Sequence, residues 1–382
     1  MRIVYFIDSL GSGGAQRQSV ELARQLVRRH GVDLRFGVYH DIDFYGPRLR
    51  ELGIPVVHFP KRAKLDPTLP WRVRAWLREL APDLVHAFLL APSLWALAGA
   101  LGLPRARRPV FVAGERSARI ADTPQRGWVQ RFVYGRSDAV TANAENVAEA
   151  IRTRLGLPGE RVHYLPNGID LASWDAEAAA PCPLALEPGH LHVALVGGLR
   201  AVKNHGVLLE ALARIEPARR ARWRVWFVGG ETGAPGVAER VKAAIPRLGL
   251  GDVVRIVPPT RKVAALLRRL DVLVLPSERE GFPNVLLEAM ASALPAIATP
   301  VGDVPNMIED GVSGFLVPVG SADALARALV RLGEMPEAAR RAVGARARDT
   351  VERRYRIEHV AARHLALYES LVAARRGGRS AA

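Results

Sequence analysis

Short apolar runs with high β-propensity alternate with helical patterns along this chain, in two successive series. The candidate strands of the first series are Ile3–Ile7, Leu34–Tyr39, Val56–Phe59, Leu84–Ala87, Val110–Ala113, Ala139–Ala142 and Val162–Leu165. Those of the second series are Leu191–Val196, Arg224–Val228, Val254–Val257, Val272–Leu275, Ala296–Ala298 and Gly314–Val317. Strands that alternate with helices are typical of parallel sheets covered by helices on both faces. The sequence therefore predicts an α/β protein with two doubly wound halves.

The length of 382 residues also favours two domains, because a single hydrophobic core rarely grows that large. Hydrophobic residues make up 49% of the chain, enough for two cores. A run rich in Ala and Pro follows Asp170 and is interpreted as the connection between the domains. We predict an N-terminal domain, an interdomain linker, a C-terminal domain and a last helix, over residues 1–170, 171–189, 190–355 and 356–376 respectively.

The composition argues against several classes of protein. Cys182 is the only cysteine, so a disulfide framework or a Cys-based metal site is not expected. The apolar run at the N-terminus is too short for a secretion signal and is interpreted as a buried strand. The most apolar segment, 89–104, contains Pro92 and is shorter than the roughly 20 residues that span a bilayer. We expect a cytoplasmic protein, either free or peripheral on the inner face of the cell membrane.

The net charge of +16 is carried mostly by Arg. Residues 1–180 contain 25 Lys and Arg against 18 Asp and Glu, which leaves a basic excess in both parts of the chain. This dispersion, without any nucleic-acid-binding motif, argues against a nucleic acid as partner. Attraction to an anionic membrane or to phosphate-bearing substrates accounts for the sign of the charge. A codon bias toward Arg is the alternative.

Two carboxylates stand close together in the segment 273–318. Glu280 follows the candidate strand Val272–Leu275, and Glu288 lies eight positions later inside an apolar helical pattern. Ligands of α/β proteins bind at the carboxyl ends of the strands, where both side chains can face the same ligand. Carboxylates accept hydrogen bonds in pairs, which suits the hydroxyl groups of a sugar ring and a ribose. An ion-paired helix residue is the alternative for Glu288.

A glycine-rich turn with two cations follows the first strand of the second series. Gly197 and Gly198 allow a ligand to approach the backbone, and Arg200 and Lys203 stand just before a helix that begins near Asn204. Two cations beside a helix N-terminus favour binding of a diphosphate. Two solvated surface cations are the alternative.

Further glycine and proline residues follow other strands and are candidates for close contact with a ligand. In the second series they are Gly229, Gly230, Pro259 and Gly302; in the first they are Gly13 and Gly14. The turn that contains Gly13 lacks the dinucleotide-binding pattern, because Gln16 stands where the third glycine is required. A Rossmann-type oxidoreductase is therefore disfavoured.

Five segments in this order together resemble the retaining, family 4 glycosyltransferases of GT-B architecture. They are GSGGAQR near the start, PDLVHAF at 82–88, PNGID at 166–170, VGGLRAVKNHGVLLEAL at 196–212, and the segment 273–318. The resemblance extends over nearly the whole chain. It implies two Rossmann-like, doubly wound domains that face a central cleft, with C-terminal helices that cross back to the first domain.

The resemblance also implies roles for the residues of the second half. Glu288 would bind the ribose hydroxyls of a nucleoside-diphosphate sugar, Glu280 would lie beside the donor sugar, and Arg200 and Lys203 would bind the diphosphate. The region of Pro259 would border the base. No cofactor is implied other than this donor substrate, and we find no carboxylate pair of DxD type in a suitable loop to hold Mg²⁺.

The chain departs from the family pattern at two places in this half. Gly198 stands where the family usually has Arg, so Arg200 is expected to substitute for it. After Gly302, the residues Asp303 and Asn306 differ from the frequent family motif, which weakens the expected contact of this loop with sugar hydroxyls.

The acceptor is expected to be a lipid-linked molecule or a glycan bound by the first half. Relatives often have a His after the fifth strand, whereas Glu115 and Arg116 stand there in this chain and are candidates to contact the acceptor. Arg116 and Arg119 are candidates to hold an anionic acceptor, with helix capping or a surface position as alternatives. His86 is a candidate to line the acceptor pocket, and a structural, hydrogen-bonded His is the alternative.

Residues 61–80 combine Trp71 and Trp76 with several arginines in a helical pattern. Such a helix suits contact with a membrane interface. An ordinary helix that buries Trp76 and extends its arginines into solvent is the alternative, and the one we favour.

The function predicted on these grounds is retaining, metal-independent transfer of a sugar, UDP- or GDP-linked, to an acceptor in cell-surface polysaccharide or glycolipid synthesis. Two alternatives are a sugar-nucleotide epimerase of GT-B fold and a non-catalytic paralogue that binds sugar nucleotides as a scaffold.

Overall fold

A computed structural model describes residues 1–63, 65–231 and 236–380. The chain forms two compact units. The first comprises Met1–Gly168 together with the chain from Ile357 onward, and the second comprises Ile169–Arg356.

The first unit contains a seven-stranded sheet in the order β3-β2-β1-β4-β5-β6-β7, with all neighbouring strands parallel. Its strands are β1 (Arg2–Phe6), β2 (Asp33–Val38), β3 (Val56–His58), β4 (Leu84–Phe88), β5 (Val110–Glu115), β6 (Ala139–Ala142) and β7 (Val162–Tyr164). The helices between them are α1 (Gly14–His30), α2 (Gly46–Glu51), α3 (Leu69–Leu80), α4 (Leu90–Leu101), α5 (Pro124–Arg136) and α6 (Glu145–Leu155).

The second unit contains a six-stranded parallel sheet in the order β10-β9-β8-β11-β12-β13. Its strands are β8 (Leu191–Val196), β9 (Trp223–Val228), β10 (Val254–Val257), β11 (Val272–Leu275), β12 (Ala296–Ala298) and β13 (Phe315–Leu316). Its helices are α7 (Leu171–Ala178), α8 (His205–Arg214), α9 (Pro217–Arg220), α10 (Val237–Arg247), α11 (Val263–Leu267), α12 (Asn284–Ala291), α13 (Val304–Met307), α14 (Ala322–Glu334) and α15 (Glu337–Arg354). A last helix, α16 (Ile357–Ser380), returns to the first unit.

The strands are apolar on both faces, as a sheet covered by helices on both sides requires. In β1, Val4 and Phe6 pack with α3–α6, while Ile3 and Tyr5 pack with α1 and α16 on the opposite face. All four side chains are fully buried. The two predicted doubly wound halves are therefore confirmed.

Local sequence signals set the ends of the helices. In α1, Ala23 and Leu26 lie on the buried face, and the helix stops at Gly31, which takes the left-handed conformation with φ of +62°. The Gly31 amide donates to the Val27 carbonyl, so an otherwise unpaired carbonyl of the last turn is satisfied.

The segment predicted as a linker, 171–189, begins with a helix that is part of the second unit. Leu171 and Trp174 of α7 are buried there, and the Trp174 indole donates to the Ser292 hydroxyl at 3.0 Å. The Ala- and Pro-rich composition that suggested a connection begins only after this helix. The last helix begins at Ile357 and runs to Ser380, four residues beyond the predicted end at 376.

The predicted strand at 314–317 is reduced to Phe315 and Leu316, because only these residues pair with β12. No helix in the described part of the chain is long and apolar enough to cross a membrane.

Candidate functional site

Two loops of the second unit meet at the carboxyl edge of its sheet. β8 leads into the turn Gly197–Gly198 and then a 3₁₀ turn, Ala201–Lys203. β11 is paired directly with β8, and it leads into the loop 276–283 that precedes α12. The loops touch through their backbones, because the Glu278 amide donates to the Val202 carbonyl at 2.9 Å. Parallel pairing therefore brings together segments that are separated by some eighty residues in the sequence.

Lys203 and Glu280 form an ion pair between these two loops. The Lys203 Nζ lies 2.7 Å from Glu280 Oε1, and both side chains are largely buried, with exposed fractions of 16% and 14%. The Ser277 hydroxyl donates to the same Oε1 at 2.7 Å. The structure thus brings together the cation predicted to bind a diphosphate and the carboxylate predicted to lie beside a sugar.

Ser277 was not predicted as a site residue, although it stands three positions before Glu280. Its side chain is fully buried, and its carbonyl accepts a hydrogen bond of 2.5 Å from the Thr299 hydroxyl. Ser277 therefore fixes one oxygen of Glu280 from a rigid position at the end of β11. The sequence signal was available as a Ser two positions after a buried strand.

Arg200 stands at the start of the 3₁₀ turn with an exposed guanidinium group. Within residues 1–63, 65–231 and 236–380, this group makes no hydrogen bond or ion pair to another side chain or carbonyl. Of the two cations predicted to bind a diphosphate, Lys203 is therefore occupied by Glu280 and Arg200 is available to a ligand.

Glycine is required at two of the predicted positions by close backbone contacts. A Cβ atom on Gly229 would lie 2.0 Å from the Gly197 carbonyl oxygen. Gly302 has φ of +62°, and a Cβ atom there would lie 2.2 Å from the Gly281 carbonyl oxygen. These glycines allow neighbouring loops to pack directly on one another.

The remaining predicted residues of this unit lie around the same edge. The Leu199 amide donates to the Gly230 carbonyl at 2.9 Å, so the turn that contains Gly198 is joined to the end of β9. Pro259, after β10, is the nearest neighbour of the open side of Gly230. Glu288 lies on α12 with an exposed fraction of 8%.

His205 is an unpredicted residue beside the ion pair. It is the first residue of α8, 2% exposed, with its ring packed edge-on against Phe227 at 5.0 Å. Neither ring nitrogen has a hydrogen-bond partner in the described part of the chain. Burial, together with the charge of Lys203, lowers the pKa of His205 to about 4, so the ring is neutral at physiological pH.

Glu115 was predicted to contact an acceptor, but it is 1% exposed and organises its own loop. Oε1 accepts from the amides of Arg116 and Ser117, at 2.9 Å each. Oε2 accepts from the Tyr134 hydroxyl at 2.7 Å and from Gln130 at 3.1 Å. The carboxylate therefore ties the loop after β5 to α5, and this geometry favours a structural role over contact with an acceptor.

His86 is fully buried, with a partner on each ring nitrogen. Nδ1 lies 2.6 Å from the Tyr368 hydroxyl of α16, and Nε2 lies 3.1 Å from the Thr141 hydroxyl of β6. Tyr368 also contacts the Tyr5 hydroxyl at 3.1 Å. Burial lowers the pKa of His86 well below its usual range. The geometry favours the structural alternative, in which His86 anchors the last helix to the first sheet.

Arg116 is half-buried, and its Nη1 donates to the Asn167 side-chain oxygen at 2.6 Å. Its guanidinium group lies 5.0 Å from the centre of the Phe88 ring. Burial lowers the pKa of Arg116 to about 10, so the group stays charged at neutral pH. Arg119, the other predicted anion-binding residue of this loop, is exposed and paired with Asp122 at 2.6 Å.

Gly13 and Gly14 lie exposed at the N-terminus of α1, where Gly13 is the capping residue. The PNGID segment is joined to the same helix further along. Gln18 donates to the Gly168 carbonyl and accepts from the Gly168 amide, both at 3.0 Å. This motif thus has a packing role that residue types alone did not reveal.

No group of three or more His, Cys, Asp or Glu side chains in the described ranges is arranged to hold a metal ion.

Comparison with known proteins finds a matching family for each unit. Residues 12–173 match the family described as Glycosyltransferase Family 4, and residues 190–334 match Glycosyl transferases group 1. A D-inositol 3-phosphate glycosyltransferase of Streptomyces bingchenggensis is 34% identical over 271 residues, which cover 66% of this chain and 59% of the relative. The enzyme of the same name from Xylanimonas cellulosilytica is 29% identical, over 95% of this chain and 93% of the relative.

The matched part spans about three-fifths of the length of the Streptomyces relatives. Among solved structures, Anabaena HepE in complex with UDP is similar, with a TM-score of 0.82 and 20% sequence identity. The match covers 97% of this chain and 100% of HepE. This similarity confirms the expected GT-B fold class.

Proposed function

Because the chain contains a Glycosyltransferase Family 4 domain and a Glycosyl transferases group 1 domain, we propose that it transfers a sugar from a nucleoside-diphosphate donor to a hydroxyl acceptor. The observation that carries this proposal is the meeting of Lys203 and Glu280 at the carboxyl edge of the second sheet. The Lys203 cation can bind the diphosphate of a sugar nucleotide, and the Glu280 carboxylate beside it can bind the sugar. UDP- and GDP-sugars are the donor classes to test first.

Cleavage of the bond between the sugar and the diphosphate builds negative charge on the leaving group. Arg200 is exposed and available, and Lys203 lies next to the N-terminus of α8, whose amide groups also attract anions. Positive charge placed where negative charge develops lowers the barrier to reaction. Arg200 and Lys203 therefore act as the electrostatic catalysts of the proposed reaction.

Glu280 has a different role in the donor complex. When the diphosphate binds Lys203, the ion pair opens and Glu280 is released to accept hydrogen bonds from the donor sugar or to stabilise positive charge at the anomeric carbon. Ser277 keeps one oxygen of the carboxylate in place during this exchange. Glu288, on α12, binds the ribose hydroxyls.

The transfer proceeds with retention of the anomeric configuration. The acceptor attacks from the face that the diphosphate leaves, and the departing phosphate oxygen takes the acceptor proton. This route requires no separate protein base. Arg200 and Lys203 supply the positive charge at the leaving group, so we expect activity to persist in the presence of EDTA.

A lipid-linked molecule or a saccharide is the acceptor class, in cell-surface polysaccharide or glycolipid synthesis. The D-inositol 3-phosphate glycosyltransferases of Streptomyces and Xylanimonas are named for a phosphorylated polyol, which is therefore the first soluble acceptor to test.

Peripheral contact with an anionic membrane is part of the proposal, at the inner face of the cell membrane. Trp71 on α3 and Trp128 on α5 have exposed fractions of 67% and 68%. Both helices belong to the layer α3–α6 on one face of the first sheet. The segment 61–136, which contains this part of the layer, has 14 Lys and Arg against 5 Asp and Glu. Exposed tryptophan among basic residues is typical of helices that bind membrane interfaces.

The experiment that tests the proposal is saturation-transfer NMR with a panel of UDP-, GDP- and ADP-sugars. We expect one class of sugar nucleotide to bind to the wild-type protein, and we expect this binding to be lost in Lys203→Ala. The matched control is Lys242→Ala, since Lys242 is exposed on α10 and has no ion-pair partner in the described chain. Absence of binding to every donor in folded wild-type protein would refute the proposal.

Product analysis separates the alternatives after binding is established. Sugar transferred to an acceptor with retained configuration supports the transferase. An epimerised sugar nucleotide supports the epimerase, and binding without turnover supports the scaffold.

A further inference from the structure

A basic cavity lies at the amino-terminal edge of the first sheet, opposite the edge that holds Gly13 and Glu115. Its volume is about 330 Å³. The end of α3, the loops that enter β4 and β5, and the last turns of α16 surround it. All of these segments belong to the first unit, so the cavity is separate from the proposed donor site in the second unit.

Among the described residues, five arginines and one acidic residue line this cavity. The arginines are Arg78, Arg107, Arg108, Arg375 and Arg376, and the acidic residue is Asp83. Asp83 pairs with Arg376, with Nη2 at 2.7 Å from Oδ1. A second carboxylate, Asp138 outside the lining, pairs with Arg375, so five guanidinium groups face two carboxylates and the cavity carries a positive potential.

Two of the other arginines are held in place by the protein. Arg108 donates from Nε and Nη2 to the carbonyls of Leu103 and Leu101, at 3.0 and 2.8 Å. These carbonyls fix the side chain without neutralising its charge. Arg375 binds the Asp138 carboxylate and donates to the Arg108 carbonyl at 3.4 Å. Two guanidinium groups are therefore held in fixed positions near the start of β5.

Arg78 and Arg107 complete the cavity from two different segments. Both are exposed, and neither guanidinium has a hydrogen bond or ion pair within the described residues. Their donors are available to a ligand without the loss of an internal contact. Guanidinium groups bind phosphate oxygens through two parallel hydrogen bonds, and several together prefer a phosphate-bearing anion.

We propose that this cavity binds a phosphate group, with Arg108 and Arg375 as the fixed part of the site and Arg78 and Arg107 as the part that closes on the ligand. Two sources carry this chemistry: a soluble phosphate compound and the headgroup of an anionic phospholipid. The inference does not depend on the proposed donor site.

Hydrogen–deuterium exchange of the full chain tests the proposal, with inorganic pyrophosphate in one arm and phosphatidylglycerol vesicles in the other. We expect protection of peptides that cover residues 77–83 and 105–110. Peptides that cover residues 197–206 report separately on any pyrophosphate bound at the donor site. Phosphatidylcholine vesicles are the neutral reference.

The double variant Arg78→Gln/Arg107→Gln should raise the ligand concentration for half-protection at least fivefold. Its matched control is Arg247→Gln/Arg353→Gln, which removes two exposed arginines of the second unit that have no ion pair in the described chain. The protection that the ligand gives to the wild-type protein should also fall as the NaCl concentration is raised, and this measurement needs no variant.

Protection with pyrophosphate alone assigns the site to a soluble anion, and protection with vesicles alone assigns it to a lipid headgroup. Protection with both identifies a general phosphate site. Absence of protection in both arms, or an equal loss of binding in the control variant, would overturn the proposal.

Discussion

At the edge of the second sheet, two side chains that are expected to bind the ligand are paired with each other in the free protein. Lys203 and Glu280 are each predicted to bind a different part of the donor, yet in the free protein they bind each other at 2.7 Å. A diphosphate must displace Glu280 before it can use Lys203. The ion pair therefore keeps a largely buried cation compensated until the donor arrives.

Replacing Glu280 with Gln separates binding from turnover. The variant loses the competing charge, so we expect UDP or GDP, whichever is the true nucleotide, to bind several-fold more tightly. Turnover of the donor sugar should fall about 100-fold or more, because the carboxylate no longer supports the transition state. Calorimetry and a coupled assay measure the two effects.

The control for Glu280 is Glu278→Gln, two positions earlier, whose exposed side chain has no ion pair among the described residues. This control should change neither the nucleotide affinity nor the turnover of the donor sugar by more than about twofold. Weaker nucleotide binding in Glu280→Gln would contradict the expected competition between Glu280 and the diphosphate for Lys203.

His205 makes a second prediction at this scale. Both of its ring nitrogens are buried and have no partner among the described residues, which costs stability. His205→Leu should therefore keep or raise the free energy of unfolding at pH 7, by up to about 2 kcal/mol. The folded-state pKa of about 4 is below that of an unfolded His. As pH falls, the unfolded state binds the proton first, so wild-type stability is lost between about pH 6.5 and pH 4.

The leucine variant lacks this loss, so its advantage should grow by about 2 kcal/mol between pH 7 and pH 5. Urea denaturation at the two pH values measures it. Parallel changes in both proteins would show that His205 does not contribute to the acid sensitivity.

At the level of secondary-structure elements, buried polar side chains hold loops and helices to the first sheet. Glu115 accepts hydrogen bonds from the loop after β5 and from α5, and His86 joins β4 and β6 to α16 through Tyr368. Glu115 is the last residue of β5, where functional side chains are expected, whereas His86 is the middle residue of β4. For both residues, burial decided the structural role that the geometry favours.

Glu115→Gln tests this assignment. The glutamine side chain has one oxygen where the carboxylate has two, so buried donors such as the Tyr134 hydroxyl lose their partner. We therefore expect the free energy of unfolding to fall by about 2–4 kcal/mol. Exchange of residues 116–123 should become faster. Glu177→Gln, at an exposed position on α7, is the control. A normal stability with a raised KM for the acceptor would instead support the original prediction of acceptor contact.

At the scale of the whole molecule, both parts of the chain are basic, and within residues 1–180 the excess is concentrated in the segment 61–136. Residues 61–136 hold 14 Lys and Arg against 5 Asp and Glu, while the larger segment 1–180 holds 25 against 18. The remainder of residues 1–180 is therefore slightly acidic, with 11 Lys and Arg against 13 Asp and Glu. Segregation of this kind produces a directed electrostatic attraction to an anionic surface, which a uniform distribution of the same charge would not.

The exposed tryptophans of this region lead to a prediction at the same scale. Trp71→Ala/Trp128→Ala should weaken binding to phosphatidylglycerol vesicles at least tenfold, because partitioning of each indole into the interface is lost. Vesicle sedimentation measures the effect. Protection of the arginine cavity by pyrophosphate should be unchanged, so a common loss of both activities would point to misfolding of the first unit.

The periodicity of apolar residues was enough to predict two parallel sheets and nearly all of their strands, since burial on both faces leaves continuous apolar runs in the sequence. Motif spacing was likewise enough to place Glu280 and Lys203 in loops that follow strands. Their ion pair, the support from Ser277, the unpaired His205 and the burial of His86 and Glu115 were decided only by tertiary structure. Periodicity records which face of an element is apolar, whereas hydrogen-bond partners depend on which distant elements the fold brings within about 3 Å of each other.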